Sequence, residues 1–414
     1  MNLLIDFITI NIKSGAGEYA RYFIMELVRM KNEGHIPNVN LYALHDSSKP
    51  IAYMDLQENN HIAVCPINYI NIADSSIVDV VKRYNIDKFF ITCAQFLGCY
   101  KGIENLKCEV ICVIHDLLDQ ELLTNHIDEY VDLIREHTQV ITYNKNLKTQ
   151  IKNFRVTFGL VKRIFKNRLN ISSNQVIDRL NPLIKLIQTN NKSNIVVVSE
   201  YTRNSLLYNF DIDKDSINVF YSPERLYDKV IDEVSDESLR YIIESKKKYY
   251  LLVSANRTLK NPDKVVRAFR RYVKSHPDKY LITIGYPNKL GENIINLNFL
   301  SDNDLSHAYK NCYALIYPSF FEGFGYPPIE AMHYGKPVLC TNSTSVPEIL
   351  EDAPIYFSPL YETGIYQALQ TLSDENYDKY CELSKMQYQK IRNRQLDDAA
   401  KLLNILTKDK TKTN

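Results

Sequence analysis

Two doubly wound α/β units facing each other across a cleft are what this sequence predicts, and three observations predict them. Short β-branched and aromatic runs alternate with longer amphipathic stretches, the pattern of strands alternating with helices. The runs are near-continuously apolar, as strands buried on both faces of a parallel sheet are. They fall into two series separated by a polar, charged stretch, Ser222–Lys248, in a chain of 414 residues, and domains of about 100–200 residues make two the simplest count.

The first series reads LLIDFITI from Leu3, VNLYALH from Val39, HIAVCPI from His61, KFFITC from Lys88, EVICVIHD from Glu109, NIVVVSE from Asn194 and INVFYS from Ile217. Helical patterns fill Gly17–Asn32 and Ser75–Tyr84. The second series reads YYLLVSA from Tyr249, YLITIG from Tyr280, IINLNFL from Ile294, YALIYPS from Tyr313, PVLCTN from Pro337 and PIYFSP from Pro354. Its helices fit Pro262–Ser275, Asp302–Lys310, Pro327–Tyr334 and Ser345–Leu350, and a long helical pattern runs over Asp374–Leu406 before a charged tail. The expected division is therefore a first domain over 1–221, carrying a basic helical insertion at about 120–192, a linker over 222–248 and a second domain over 249–388. A last segment, 389–414, supplies a helix that crosses back to the first domain, plus a polar tail.

Composition narrows the function classes. With 45% hydrophobic and 24% charged residues, the chain can bury sizeable cores. No apolar run reaches the roughly 18–20 residues that span a bilayer, and the start, MNLLIDFITINIK, has no basic region or cleavage site of a signal peptide. A cytoplasmic protein is the expectation. Eight cysteines in this length are too few for a disulfide scaffold and read as thiols. The formal net charge of +1 argues against a bulk nucleic-acid binder.

The chemistry concentrates in Tyr317–Leu350. A strand ending at Ser319 runs into a loop with glycines at 323 and 325, and Pro327-Pro328 then opens a helix. Glycine admits positive φ and close backbone approach, proline suits the first helical turn, and a helix N-terminus offers free N–H groups to a phosphate. Glu322 in the loop and Glu330 in the helix, seven residues between them, can accept sugar hydroxyls, as an acidic residue accepts from ribose in dinucleotide folds. Glu330 in a first helical turn also has a plain reading as a dipole-favoured acid. Phosphate cradle and hydroxyl acceptors together suit a nucleotide sugar.

EGFGYPPIEAM, with HYGKPV and SVPEI after it, resembles the Glu-x7-Glu signature of the GT4 family of retaining glycosyltransferases, which have the GT-B fold. The likeness extends through YYLLVSANRTLKNPDKVVRAF, LITIG and FLSDNDLSHAYKNCYALIYPS, and more weakly through GAGEYARYFIMELVRM, VIHDLL and VVVSEYTRNSLL. It implies a retaining hexosyltransferase that needs no metal or other cofactor and takes a nucleotide-sugar donor as substrate and a glycan or lipid-linked glycan as acceptor, in cell-surface polysaccharide synthesis. Glu322 and the amides of Gly323, Phe324 and Gly325 would surround the donor sugar, and Glu330 would hold the ribose. Arg257 and Lys260 would face the diphosphate, where two cations offset the charge on a leaving group. Gly15 and Gly17 would face it from the other domain, in a loop reading GAG where the family commonly has a double glycine. His115, at the end of its strand, would approach the sugar. A histidine on an apolar strand also has a plain reading as a satisfied core residue, and Asp116 as a turn cap. Asp211-Ile212-Asp213 spells the metal-binding DxD of another glycosyltransferase fold, but among turn-forming residues it reads as a turn.

Charge is not evenly spread. Residues 145–192 carry eleven basic residues and one acidic, a net +10, and the remaining 366 residues carry 39 basic and 48 acidic, a net −9. Within the segment, Phe158, Val161, Phe165 and Leu169 share a helical face opposite Lys162, Arg163 and Lys166. A basic amphipathic helix can lie on anionic lipid, so a peripheral membrane contact on the inner face of the cell membrane is one expectation and a helix packed on its own domain the other. The competing functions are a nucleotide-sugar 2-epimerase of the same fold and a catalytically silent module binding membrane or nucleic acid; no nucleic-acid partner is expected.

Overall fold

The computed structural model describes residues 1–8, 14–45, 67–72, 75–94, 100, 102–118, 121, 184–186, 188, 193–225, 232–287 and 291–408. Most of the basic segment 145–192 and the strand pattern at His61 lie outside these residues.

The first unit is a parallel sheet of seven strands, β1 (Asn2–Asp6), β2 (Asn40–His45), β3 (Asn68–Asn71), β4 (Lys88–Ile91), β5 (Glu109–Ile114), β6 (Asn194–Val197) and β7 (Ile217–Val219), in the order β3-β2-β1-β4-β5-β6-β7. Helices α1 (Gly15–Asn32), α2 (Ile77–Arg83) and α3 (Glu200–Asn209) connect them. Each of the three opens on a serine, Ser14, Ser76 or Ser199, whose hydroxyl accepts a first-turn N–H, the preferred cap. β4 and β5 are buried along their whole length, and the charged residues that open them, Lys88 and Glu109, are buried as an ion pair at 3.4 Å.

Helix α4 (Glu237–Glu244) lies inside the stretch whose polarity reads as a linker. Its apolar residues are few but correctly spaced: Leu239 and Ile242 are buried in the common core with the second sheet's Tyr249 and Leu251.

The second unit is a six-stranded parallel sheet, β8 (Lys248–Leu252), β9 (Lys279–Ile284), β10 (Ile294–Leu297), β11 (Ala314–Tyr317), β12 (Val338–Thr341) and β13 (Ile355–Phe357), ordered β10-β9-β8-β11-β12-β13. Around it lie α5 (Pro262–Tyr272), α6 (Asp302–Asn311), α7 (Tyr326–His333), α8 (Val346–Leu350) and α9 (Glu362–Thr371). Both sheets reverse their winding once, between β1 and β4 and between β8 and β11. These switch points are where open α/β sheets leave a crevice at the strands' carboxyl ends.

A single 31-residue helix, α10 (Tyr377–Thr407), closes the fold. It begins on the second unit, where the Tyr377 hydroxyl donates to the Tyr313 carbonyl at 3.0 Å and Gln387 donates to the Ile349 carbonyl at 2.9 Å. It ends on the first, where Lys88 donates to the carbonyls of Ile405 and Lys408. Between them, buried Asp398 accepts the Tyr221 N–H at 3.1 Å and ion-pairs with Arg394 and Lys401. No helix among the described residues is long and apolar enough to cross a membrane.

Candidate functional site

Both switch-point loops of the second sheet meet beside Lys260. The turn after β8 runs through Ser254, at φ +56°, and Asn261, at φ +49°; the latter sits just before Pro262 opens α5. Left-handed backbone is a local cost for any side chain, accepted here to aim Lys260 inward. The Phe320 N–H donates to the Leu259 carbonyl at 2.9 Å, and the Ser319 hydroxyl reaches the same oxygen at 3.3 Å. The loop after β11 is thereby pinned to the loop after β8.

Lys260 is 8% exposed. It donates to the Tyr317 hydroxyl at 2.9 Å and ion-pairs with Glu322, and the Tyr317 hydroxyl bonds the same carboxylate. Burial pushes the Glu322 carboxyl up, and the Lys260 ammonium with the Ser319 and Tyr317 hydroxyls more than reverses this, leaving its pKa below the ordinary carboxylate value. Glu322 is thus an anion, and the Lys260 ammonium is its counter-charge. Thr344, itself at φ +55°, accepts the Glu322 N–H at 3.0 Å, and the Ser345 hydroxyl donates to the Glu322 carbonyl at 2.9 Å. Arg257 is exposed at the mouth of the loop, close enough for its charge to act on the Tyr317 hydroxyl.

The glycine loop is held by the first unit. A Cβ on Gly323 would stand 1.9 Å from the His115 carbonyl oxygen, so no side chain fits there. Ser199, the cap of α3, donates to the Gly323 carbonyl at 2.8 Å. Glu348 of α8 accepts the N–H groups of Glu200 and Tyr201 at 2.8 and 2.9 Å, an anion on a helix N-terminus. Gly325 has φ +96°, Phe324 is buried with its ring edge-on to Tyr221, and Gly15 at the start of α1 lies against the Tyr326 ring. Gly17 donates its N–H to Ser14.

His115 directly follows β5, 8% exposed, with Nε2 3.0 Å from the Thr92 carbonyl and its ring edge-on to Tyr19. That contact places the proton on Nε2. Burial lowers its pKa to about 4, against a small upward effect of the Thr92 contact, so the imidazole is neutral at pH 7. Asp116 accepts the Leu118 N–H at 3.1 Å, a turn cap. In the DxD segment, Asp213 caps a 3-10 turn by accepting the Asp215 N–H at 3.0 Å. Glu330 is buried in α7, with the Arg225 guanidinium 3.7 Å away.

The structure thus brings Lys260 and Glu322 into contact and sets Gly323 on His115. The sequence reading missed Tyr317, Thr344, Ser345 and Ser199. Tyr317 is the last residue of β11, two before the strand end read at Ser319, and nothing in the sequence marks its hydroxyl. Thr344 carries no signal, because a threonine at positive φ is disfavoured.

The family model for Glycosyl transferases group 1 matches residues 235–357. The chain is 42% identical over 82 residues to O-antigen chain mannosyltransferase B of Escherichia coli, covering 20% of this chain and 22% of that one. It is 27% identical over 192 residues to O-antigen chain mannosyltransferase RfbU of Salmonella typhimurium, covering 43% and 50%. The matches thus span half or less of the length of these curated relatives. The Anabaena protein HepE, solved in complex with UDP, superposes with a TM-score of 0.61 at 13% identity over 98% of this chain and 99% of that one. Residues 235–357 accordingly belong to glycosyl transferases group 1, and the two facing parallel sheets are the GT-B fold.

Proposed function

We propose that this chain is a retaining glycosyltransferase of the GT4 type, moving a hexose from a nucleotide diphosphate donor to a hydroxyl of a glycan or lipid-linked glycan in surface polysaccharide synthesis. The observation that carries the reading is the buried Lys260–Glu322–Tyr317 contact at the switch point, with Arg257 at its mouth. The names of the curated relatives, both O-antigen mannosyltransferases, support a mannose-like sugar and a polysaccharide product.

In this reading Lys260 and Arg257 stabilise the charge that grows on the departing diphosphate. Arginine offers a forked contact and lysine a point charge. Glu322 is an acceptor for the sugar's hydroxyls, and its ionised state suits it to accept and not to protonate. Glu330 accepts from the ribose. His115, neutral and fixed by Thr92, can accept a hydrogen bond from a hydroxyl through Nδ1 while remaining uncharged. No enzymic nucleophile is assigned: departure and attack on one face give retention, with the leaving phosphate able to take the acceptor proton. The reaction then breaks the anomeric C–O bond to phosphate and forms one to the acceptor oxygen, and the nucleoside diphosphate leaves. The two cations suffice to meet the diphosphate charge, so metal is not required. The DxD segment is left with a turn to make.

A thermal-shift and calorimetric screen against UDP, GDP and ADP and their sugars tests the reading, followed by NMR of the product's anomeric configuration. Saturable binding of one donor, transfer with retention and loss of transfer in Lys260→Ala are expected. Epimerised free sugar as the main product would replace the reading with an epimerase, and absence of any nucleotide binding would remove it.

A further inference from the structure

Arg225 lies just before the second unit, and the site as described leaves it without a role. Its guanidinium stands between three carboxylates on three elements. Nη2 is 2.8 Å from Asp302 Oδ1 at the start of α6. Nη1 is 3.7 Å from Glu330 Oε1 in α7, and Nε is 3.8 Å from Glu18 Oε1 in the first turn of α1. The Glu330 and Glu18 side chains are 8% and 18% exposed, so water screens their mutual repulsion poorly. Burial raises the pKa of Glu18; Arg225 and Arg21 pull it down, and Asp302 and Glu330 push it up.

The three acids come from both units and converge on one cation. Without that cation, Glu330 would face Glu18 with little water between them, while Asp302, 36% exposed, stays solvated. Glu330 would relieve the repulsion by turning away, which spoils it as an acceptor for vicinal hydroxyls. At 3.7 Å the Arg225–Glu330 contact is electrostatic and lies beyond hydrogen-bond length. It fixes the carboxylate while leaving its lone pairs to a ligand. Asp302 takes the closer, hydrogen-bonded contact, so the guanidinium is anchored on α6 and presented to α7 and α1.

We propose that Arg225 is the positioning residue for Glu330: it holds that carboxylate aimed for the donor's ribose against the repulsion of the Glu18 carboxylate, which α1 brings in from the first unit. This rests on the donor reading above, in which Glu330 meets the ribose.

The test is a calorimetric titration of the full chain with UDP, GDP and ADP and with their 2′-deoxy counterparts. It compares wild type, Arg225→Met, Arg225→Lys and Arg225→Met combined with Glu18→Gln. Wild type is expected to prefer one ribonucleotide over its deoxy form by about tenfold, the effect of one hydrogen bond to a charged group. Arg225→Met is expected to bind that ribonucleotide about tenfold more weakly and to lose most of the preference. Removing the Glu18 charge in that background should restore at least part of both, an outcome that general loss of structure does not produce. Arg225→Lys keeps the charge without the fork, should fall between, and decides the matter if the methionine variant does not fold. Unchanged or tighter binding by Arg225→Met overturns the proposal, as does weaker binding with the deoxy preference intact. If wild type binds none of the nucleotides, the donor reading itself falls and this inference with it. If wild type binds but ignores the 2′-hydroxyl, the proposal falls and the donor reading stands.

Discussion

The second unit's site is written in one stretch of chain, while the first unit's contribution is scattered. Tyr317, Glu322, Gly323, Gly325, Glu330, Thr344, Ser345 and Glu348 all lie within residues 317–348, and Arg257 and Lys260 join them from the loop after β8. From the first unit, Gly15, His115 and Ser199 arrive from β1, β5 and β6, with long intervals of sequence between them. The contiguous half makes contacts that need particular backbone: positive φ at Gly325 and Thr344, and no Cβ at 323. The scattered half supplies what receives them, a carbonyl at His115 and a hydroxyl at Ser199. The second unit therefore contributes most of the residues gathered at the cleft, and the first contributes His115 and the contacts that hold the glycine loop.

This contrast can be broken at its strong end. Lys260→Ala is expected to lower transfer by about 10²–10³-fold, and the Lys260→Ala/Glu322→Ala pair to be little worse than the single change, because the two act as one ion pair. Initial rates at saturating donor measure it; near-multiplicative losses would mean the groups act separately. Gly323→Ala should come next. Its methyl cannot share space with the His115 carbonyl, so the loop must shift, and a displacement near 1 Å costs roughly 10²-fold in rate. If Gly323→Ala transfers like wild type, the first unit does not set the loop's position.

The scattered half is best probed by pH. His115 titrates near 6.5 when unfolded and at about 4 when folded. Between these values the unfolded chain binds the extra proton. Stability therefore falls as pH drops from about 6.5, by about 1.4 kcal/mol per pH unit from this one group. Chemical denaturation at pH 7 and pH 5.5 should show wild type losing more stability than His115→Asn; equal slopes would mean the buried imidazole is hydrated or charged. The smallest effect is expected for Glu348→Gln. Glu348 accepts the Glu200 amide through one oxygen and the Tyr201 amide through the other, so glutamine keeps an acceptor for only one of them, removes the charge, and should cost about 1 kcal/mol. A thermal melt with no change would mean that neither the charge nor the second acceptor stabilises that inter-unit contact.

Legibility followed the same divide. The glycine loop could be read because adjacent residues with one physical purpose leave a local pattern: Gly325 where φ is positive, Gly323 where no Cβ fits, and prolines where the helix begins. The strands were legible because burial on both faces leaves unbroken apolar runs. Ser199 was not legible as a site residue, since a serine before a helix is fully explained as its cap, and its second bond to Gly323 exists only in three dimensions. Arg225 was hidden for a related reason. It sits in a polar stretch where charge is ordinary, and its three partners lie about 80–210 residues away along the chain. Helix α4 escaped because two buried residues, Leu239 and Ile242, in eight are a thin stripe beside so many charges.

The chain passes between the two units twice, once near Tyr221–Arg225 and again along α10, which at 1.5 Å per residue is about 46 Å long. One tether would leave the units free to swivel in any direction. Two tethers define a line, and the easy motion left is rotation about it. Asp398, accepting from Tyr221 while bonded to Arg394 and Lys401, fastens the two tethers together, so the axis passes close to that carboxylate. A swing of the units about that line is widest at the face farthest from Asp398, and it has to break the Ser199–Gly323 and Glu348 contacts on the way.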